Sequence, residues 1–167
     1  SDKKTLQASL DNEMKYYEDH KKFISSAGSL EDVVADSDEA SERYLSSELF
    51  IYKTLITILS GKEENFRANL YRIVSELKTK IAEIRQNQDK DTTSIERWIL
   101  EAENRLQRSR EKQQDSINII NKLKVNDKDK FSDYNNARSI MEESHQYLKE
   151  ANSYLGEIVK EITRADR

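Results

Sequence analysis

The chain has 167 residues, 36% charged and 35% hydrophobic, with 28 basic against 32 acidic side chains, three glycines, no proline and no cysteine. One domain over residues 1–167 is the expectation for that length, and without cysteine there is no disulfide framework, thiolate metal site or thiol nucleophile. A mean hydropathy of −0.92 would suit disorder, but the charges nearly balance and the apolar residues are strongly periodic, while a β-sandwich would draw on glycine and proline for its turns.

Helical periodicity therefore organises the reading. A first helix is expected from about Lys3 to Ala27, with Leu6, Leu10, Met14, Tyr17 and Ile24 on one inward face. Gly28 stands where a left-handed cap would end it. Ser29 and Asp32 make the acidic variant of a capping box, opening a short helix through Leu30, Val33 and Val34. Asp36, Asp38 and Glu39 would then sit at the start of the next helix, which runs to about Ser60 and faces Tyr44, Leu45, Leu49, Tyr52, Leu55, Ile56 and Leu59 inward. Apolar residues surround it after Leu49, so it is expected to be the central, most buried helix.

Gly61 is the second expected cap. A third long helix carries Phe66, Leu70, Ile73, Leu77, Ile81 and Ile84, and ends in the polar segment Gln86 to Asp91. Thr93 and Glu96 form a capping box before a fourth, which extends to about Lys124 through Ala102, Leu106, Ile117, Ile120 and Leu123. Its middle, Gln107 to Ser116, has no large apolar residue and is expected to be weakly packed or to project beyond the core. After the charged connection Asn126 to Lys130, the fifth long helix shows a heptad ladder: Tyr134, Ala137, Met141, Ser144, Leu148, Ala151, Leu155, Ile158 and Ile162. Short polar connections imply antiparallel neighbours. The predicted fold is all-α, an elongated antiparallel up-and-down bundle of five long helices plus one short helix.

No run of 18 apolar residues exists. The most apolar stretch, Phe50 to Leu59, contains Lys53 and suits a core helix. The opening Ser-Asp-Lys-Lys has no signal-peptide pattern and is compatible with a mature chain whose targeting segment was removed. A net charge of −4 argues against nucleic-acid or acidic-membrane binding. The charge is uneven, with a net of −6 over residues 1–66 and +3 over residues 97–130.

The residues offer little chemistry. Glu142 and His145 share a helix face at the spacing of half a di-metal site, but the second half is missing and a solvated neighbour pair accounts for them. There is no Gly-x-Ser-x-Gly elbow, and glycines at 28, 61 and 156 cannot form a phosphate loop. Adjacent carboxylates such as Glu18 and Asp19 diverge by about 100° around a helix. No catalysis, cofactor or metal is expected. Arg105, Arg108, Arg110 and Lys112 are interrupted by glutamates and read as surface ion pairs, with use by a protein partner open. Tyr16, Tyr17, Tyr147 and Tyr154 either flank the core with hydroxyls in water or mark a binding surface. Gly156 either allows close helix approach or frays the chain's end.

In size and texture the chain resembles the ectodomains of small Borrelia outer-surface lipoproteins, most of all the factor H-binding lipoproteins of relapsing-fever Borrelia. The segments Lys122 to Tyr134 (KLKVNDKDKFSDY) and Ser139 to Ile162 carry the resemblance. It implies a non-catalytic domain at the bacterial outer surface, tethered by an acylated N-terminal cysteine, that recruits the host complement regulator factor H in immune evasion. It also implies binding through inter-helix connections, which in this chain points to Asp127, Lys128, Asp129, Lys130, Phe131 and Tyr134. Phe131 would be an aromatic anchor there, or would simply staple the start of the fifth helix. The alternative function is an intracellular coiled-coil assembly protein pairing through the ladder, and burial of that ladder within the monomer would remove its main support.

Overall fold

A computed structural model describes residues 2–88 and 91–165. The described residues form four helices and no strand: α1 (Asp2–Ser26), α2 (Leu30–Gln88), α3 (Thr93–Lys122) and α4 (Lys130–Ala165). Five long helices and one short become four because α2, at 59 residues, absorbs three of the predicted six. Its start follows the sequence: Ser29 Oγ accepts from Asp32 N at 3.1 Å. Asp36 to Glu39 and Gly61 are then interior positions, not ends. A glycine inside a helix costs about 1 kcal/mol relative to alanine, too little to stop a helix whose inward positions continue from Ile56 through Glu63 and Arg67 to Leu70. Gly28 does follow the end of α1, without the left-handed φ expected of it.

The break expected at Gln86 to Asp91 separates α2 from α3, with Asp89 and Lys90 outside the described residues. The α3 cap lies one residue earlier than predicted. Glu96 N donates to Thr92 O at 2.9 Å, and Thr92 Oγ1 donates to the Glu96 carboxylate at 2.7 Å. Asp91 accepts from Thr93 N at 2.9 Å, and the Thr93 hydrogen bonds hold its carboxyl below the usual range.

Residues Leu55–Lys122 with Phe131–Arg167 form one compact unit, and Ser1–Thr54 with Leu123–Lys130 form another. In the first, three helical segments pack around Leu70, Val74, Ile81, Ile99, Leu106, Leu148, Leu155 and Ile158, all buried. Contacts fix the directions. Arg67–Ser109, Lys78–Glu103 and Arg85–Glu96 run α3 antiparallel to α2. Ser116–Ala137, Lys112–Glu143 and Arg105–Glu150 run α4 antiparallel to α3. The ladder is buried from Ala137 to Ile162, with Tyr134 half-buried at its start. Each fully buried leucine or isoleucine contributes about 1.5–3 kcal/mol.

The middle of α3 is not loose. Ser109, Gln113 and Ser116 are buried on the positions an apolar stripe would occupy. Small or amide side chains there meet polar atoms across the helix contacts. Ser116 Oγ donates to Ala137 O at 2.7 Å, and Gln113 donates to Ser60 O and Oγ at 2.9 and 2.6 Å. Satisfied polar groups at close helix approach replace bulky apolar packing.

In the second unit α1 runs antiparallel to the N-terminal part of α2, and its inward face is turned from the predicted one: Leu6 stays half-buried, but Glu13, Tyr16 and His20 take the remaining inward positions. Glu13 accepts from Arg43 Nη2 at 3.0 Å and from Ser47 Oγ at 2.6 Å. Arg43 lies 4.1 Å over the Tyr16 ring, and His20 Nδ1 meets Asp36 at 3.0 Å. Burial pushes the Tyr16 hydroxyl above its ordinary value, with Glu39 and Asp36 adding to it. Leu10, Met14, Tyr17 and Ile24, expected inward, are instead 39–57% exposed. Tyr44 and Leu55 are also exposed, and only Leu49 and Ile56 of the expected α2 set are buried. That part of α2 is therefore not the most buried element: ion pairs and a cation–π contact, rather than the apolar stripe, hold α1 to it.

Candidate functional site

The connection between α3 and α4 is tied down from within its own sequence. Asp127 Oδ2 accepts from Lys124 N at 2.7 Å while Asp127 N donates to Lys124 O at 3.2 Å, closing a tight turn without glycine. Lys130 is 5% exposed. Its ammonium donates to Val125 O at 2.7 Å and meets Glu48 Oε2 of α2 at 3.2 Å. Glu48 also accepts from the Tyr52 hydroxyl at 2.8 Å, and that bond, then Lys130, holds its carboxyl below the ordinary range. A buried ammonium with two oxygen partners is structural, since removing one partner would strand a charge. Lys130 thus anchors the connection. Lys128 and Asp129 are exposed at its tip. Phe131, in the first turn of α4, is 62% exposed, so most of its ring lies in water and a stapling role would bury little of it. Tyr134 is half-buried at the head of the ladder.

A second polar cluster lies among α2, α3 and α4 in the three-helix unit. His145 Nδ1 is 2.8 Å from Glu63 Oε1, so the partner of His145 is a carboxylate 82 residues away and not Glu142, which pairs with Arg138 at 3.0 Å. Beneath it Arg67 donates to Ser109 Oγ at 3.2 Å, and Ser109 and Ser144 hydroxyls meet at 3.0 Å. Ser144 Oγ also lies 2.9 Å from Ser109 O, so a consistent chain runs Arg67 to Ser109 to Ser144 to the Ser109 carbonyl. Burial draws the Arg67 guanidinium below its ordinary value, and Glu63 opposes that.

Glu63, His145, Phe66, Leu59 and Met141 line a groove of about 620 Å³. A carboxylate-oriented imidazole is two members of a hydrolytic triad, but the neighbouring hydroxyl, Ser144, is fully buried and bonded to Ser109. The cluster's chemistry is polar packing with a surface imidazole. Sequence reasoning missed Glu63 and Arg67. The signal available was their place on core-spaced positions between Ile56 and Leu70, matched by Ser109 in α3 and Ser144 in α4.

The basic cluster of α3 is spent mostly on neighbours. Arg105 meets Glu150 at 3.1 Å, Lys112 meets Glu143 at 2.6 Å and Arg108 donates to Asn104 at 3.2 Å. Among the described residues no three metal-ligating side chains converge, and no helix is long and apolar enough to cross a membrane. No protein family, no curated protein and no solved structure matches this chain.

Proposed function

We propose that the chain is a non-catalytic helical ectodomain that binds another protein, using the connection Asp127 to Tyr134 as part of the contact. The observation that carries this reading is the burial of the α4 ladder from Ala137 to Ile162. A seam satisfied inside the chain's own helices is not available for pairing with a second helical chain, which weighs against the coiled-coil assembly alternative. The connection supports the reading because Lys128 and Asp129 are exposed at its tip and an exposed aromatic, Phe131, follows them in the chain. The resemblance to Borrelia surface lipoproteins nominates complement factor H as the partner, a lipid anchor as the tether and immune evasion as the purpose.

Capture from human serum on the immobilised chain, with bound proteins identified by mass spectrometry at two salt concentrations, tests the proposal. Retention of factor H, weakened by Phe131→Ser, supports both the partner and the site. Retention untouched by that substitution removes the site. Recovery of no serum protein sinks the host-binding reading. A lipobox ending in cysteine in the preceding coding sequence would support the tether.

A further inference from the structure

The groove beside Glu63 and His145 combines an apolar floor with charges that divide unevenly. In the three-helix unit α2 and α4 are each antiparallel to α3 and so parallel to one another, and the groove runs along both axes. Its α2 wall extends from Leu59 to Phe66 and its α4 wall from Arg138 to Lys149, about 10 and 16 Å at 1.5 Å per residue. Met141 is buried in the floor, with Leu59 and Phe66 half-buried. The volume of about 620 Å³ falls within the roughly 300–1,000 Å³ of small-molecule sites. Both acids of the groove are engaged. Glu63 Oε1 meets His145 Nδ1 at 2.8 Å, its other oxygen is buried, and Glu142 accepts from Arg138 at 3.0 Å. The lysines are not: Lys62 and Lys149 are exposed, and among the described residues neither makes an ion pair or a side-chain hydrogen bond. No carboxylate stands three or four residues from either, and Glu150, next to Lys149, turns to Arg105 of α3.

We propose that this groove binds a small anionic amphiphile, an aliphatic carboxylate about as long as octanoate. The chain lies lengthwise on Leu59, Phe66 and Met141, and the head is received by the ammonium groups of Lys62 and Lys149. Charge selects this occupant. A cation would find both carboxylates already engaged, and a neutral chain of the same length would gain the apolar floor and nothing from the lysines. Because His145 gives its Nδ1 to Glu63, its Nε2 is the ring's remaining polar atom for a ligand. The groove shares no residue with the connection Asp127 to Tyr134, so its test stands apart from the capture of a host protein.

Titration of the full chain with octanoate, followed by amide resonances and kept below micelle formation, measures both affinity and place. Octanol, octyltrimethylammonium and acetate are titrated in parallel. The expected result is saturable shifts confined to Leu59–Phe66 and Arg138–Lys149, with octanoate bound roughly fivefold or more tightly than octanol. Acetate, which lacks the chain, should leave these resonances unmoved at the same concentration. Lys62→Gln/Lys149→Gln should weaken octanoate by a similar factor and remove most of its salt dependence, while binding octanol like the parent. Lys21→Gln/Lys122→Gln, which removes the same charge from exposed positions outside the groove, should keep the parent affinity. All four lysines are exposed, so circular dichroism of both variants should match the parent. Shifts that do not saturate or that scatter outside the groove overturn the proposal, as does equal affinity for octanol or equal weakening in the two double variants. Tighter binding of octyltrimethylammonium also overturns it and assigns the groove to a cation.

Discussion

Replacing Gly61 with alanine distinguishes a continuous α2 from a broken one by the sign of the stability change. In the structure Gly61 is exposed within the helix, its φ lies outside the left-handed region, and a Cβ built on it meets nothing within 4 Å. Alanine there gains the full helix-propensity difference and reduces the freedom of the unfolded chain, for about 0.5–1 kcal/mol of added stability. Were Gly61 instead a left-handed cap between two helices, the same methyl group would cost about 1 kcal/mol. Urea unfolding followed by far-ultraviolet circular dichroism reads the difference directly. With a slope of about 1–3 kcal/mol per molar urea, the midpoint should rise by a few tenths molar, and Tm by about 2–4 °C per kcal/mol for a chain of this size. A lowered midpoint at unchanged slope would falsify the continuous helix. Gly156 offers a control in α4, where a Cβ also meets open space, and Gly156→Ala should stabilise by a similar amount.

Four further outcomes follow from particular contacts. Leu148→Ala empties a fully buried ladder position and should cost about 2–5 kcal/mol in the same urea experiment, while Phe131→Ala, at a position more than half in water, should cost clearly less. Ser109→Ala removes the acceptor of Arg67 and the hydroxyl partner of Ser144; a loss of about 1–3 kcal/mol is expected, and a neutral result would mean that the Arg67–Ser109–Ser144 hydrogen bonds do not hold the layer together. Glu48 carries acid sensitivity. Its carboxyl is held low by Tyr52 and Lys130, so its contribution is complete above the unfolded value of about 4.3 and disappears as pH falls through the lower folded value. Stability measured from neutral pH downward should therefore fall below about pH 4 by that contribution, and Glu48→Gln should flatten this part of the curve.

Legibility tracked how far each feature depends on local pattern. The ladder in α4 and the row Phe66, Leu70, Ile73, Leu77, Ile81, Ile84 were readable because period and burial coincide there. The Ser29 cap was readable too, and the α3 cap slipped by one residue because Thr92 and Thr93 are chemically alike. The helix count failed at Gly61 and at Asp36 to Glu39, where local breaking signals of about 1 kcal/mol or less were outweighed, past Gly61 by continuing core positions and around Asp36 by contacts of Asp36 and Arg43 with α1. The face of α1 failed for a different reason. Apolar spacing says which residues lie together, not whether anything covers them, and here Glu13, Tyr16 and His20 found charged and polar partners on α2 instead. Of the candidate site, the turn residues and the exposed Phe131 were legible in outline. The burial of Lys130 was not, because its partner Glu48 is 82 positions away in the sequence.

The serine layer has a consequence for uniqueness. A heptad ladder repeats, so a seven-residue slide of α4 along α3 would exchange Ala137, Ser144 and Ala151 with little change in volume, and Met141, Leu148 and Leu155 likewise; bulk resists it only at the C-terminal end, where Ile158 shares a column with Ala151. Sliding would bring Ala137 or Ala151 opposite Ser109 and strand the hydroxyls together with the Arg67 charge that now ends on them. Through the middle of the ladder bulk therefore discriminates little, and two hydroxyls and a guanidinium add their preference to that of Ile158 at the end. With Arg67→Met, Ser109→Ala and Ser144→Ala combined, buried polar penalties vanish along with the polar bonds. Stability should then change little while alignment becomes ambiguous, visible as duplicated amide resonances. One set of resonances would mean that helix ends and connections already dictate the alignment, and that the serines merely fill space.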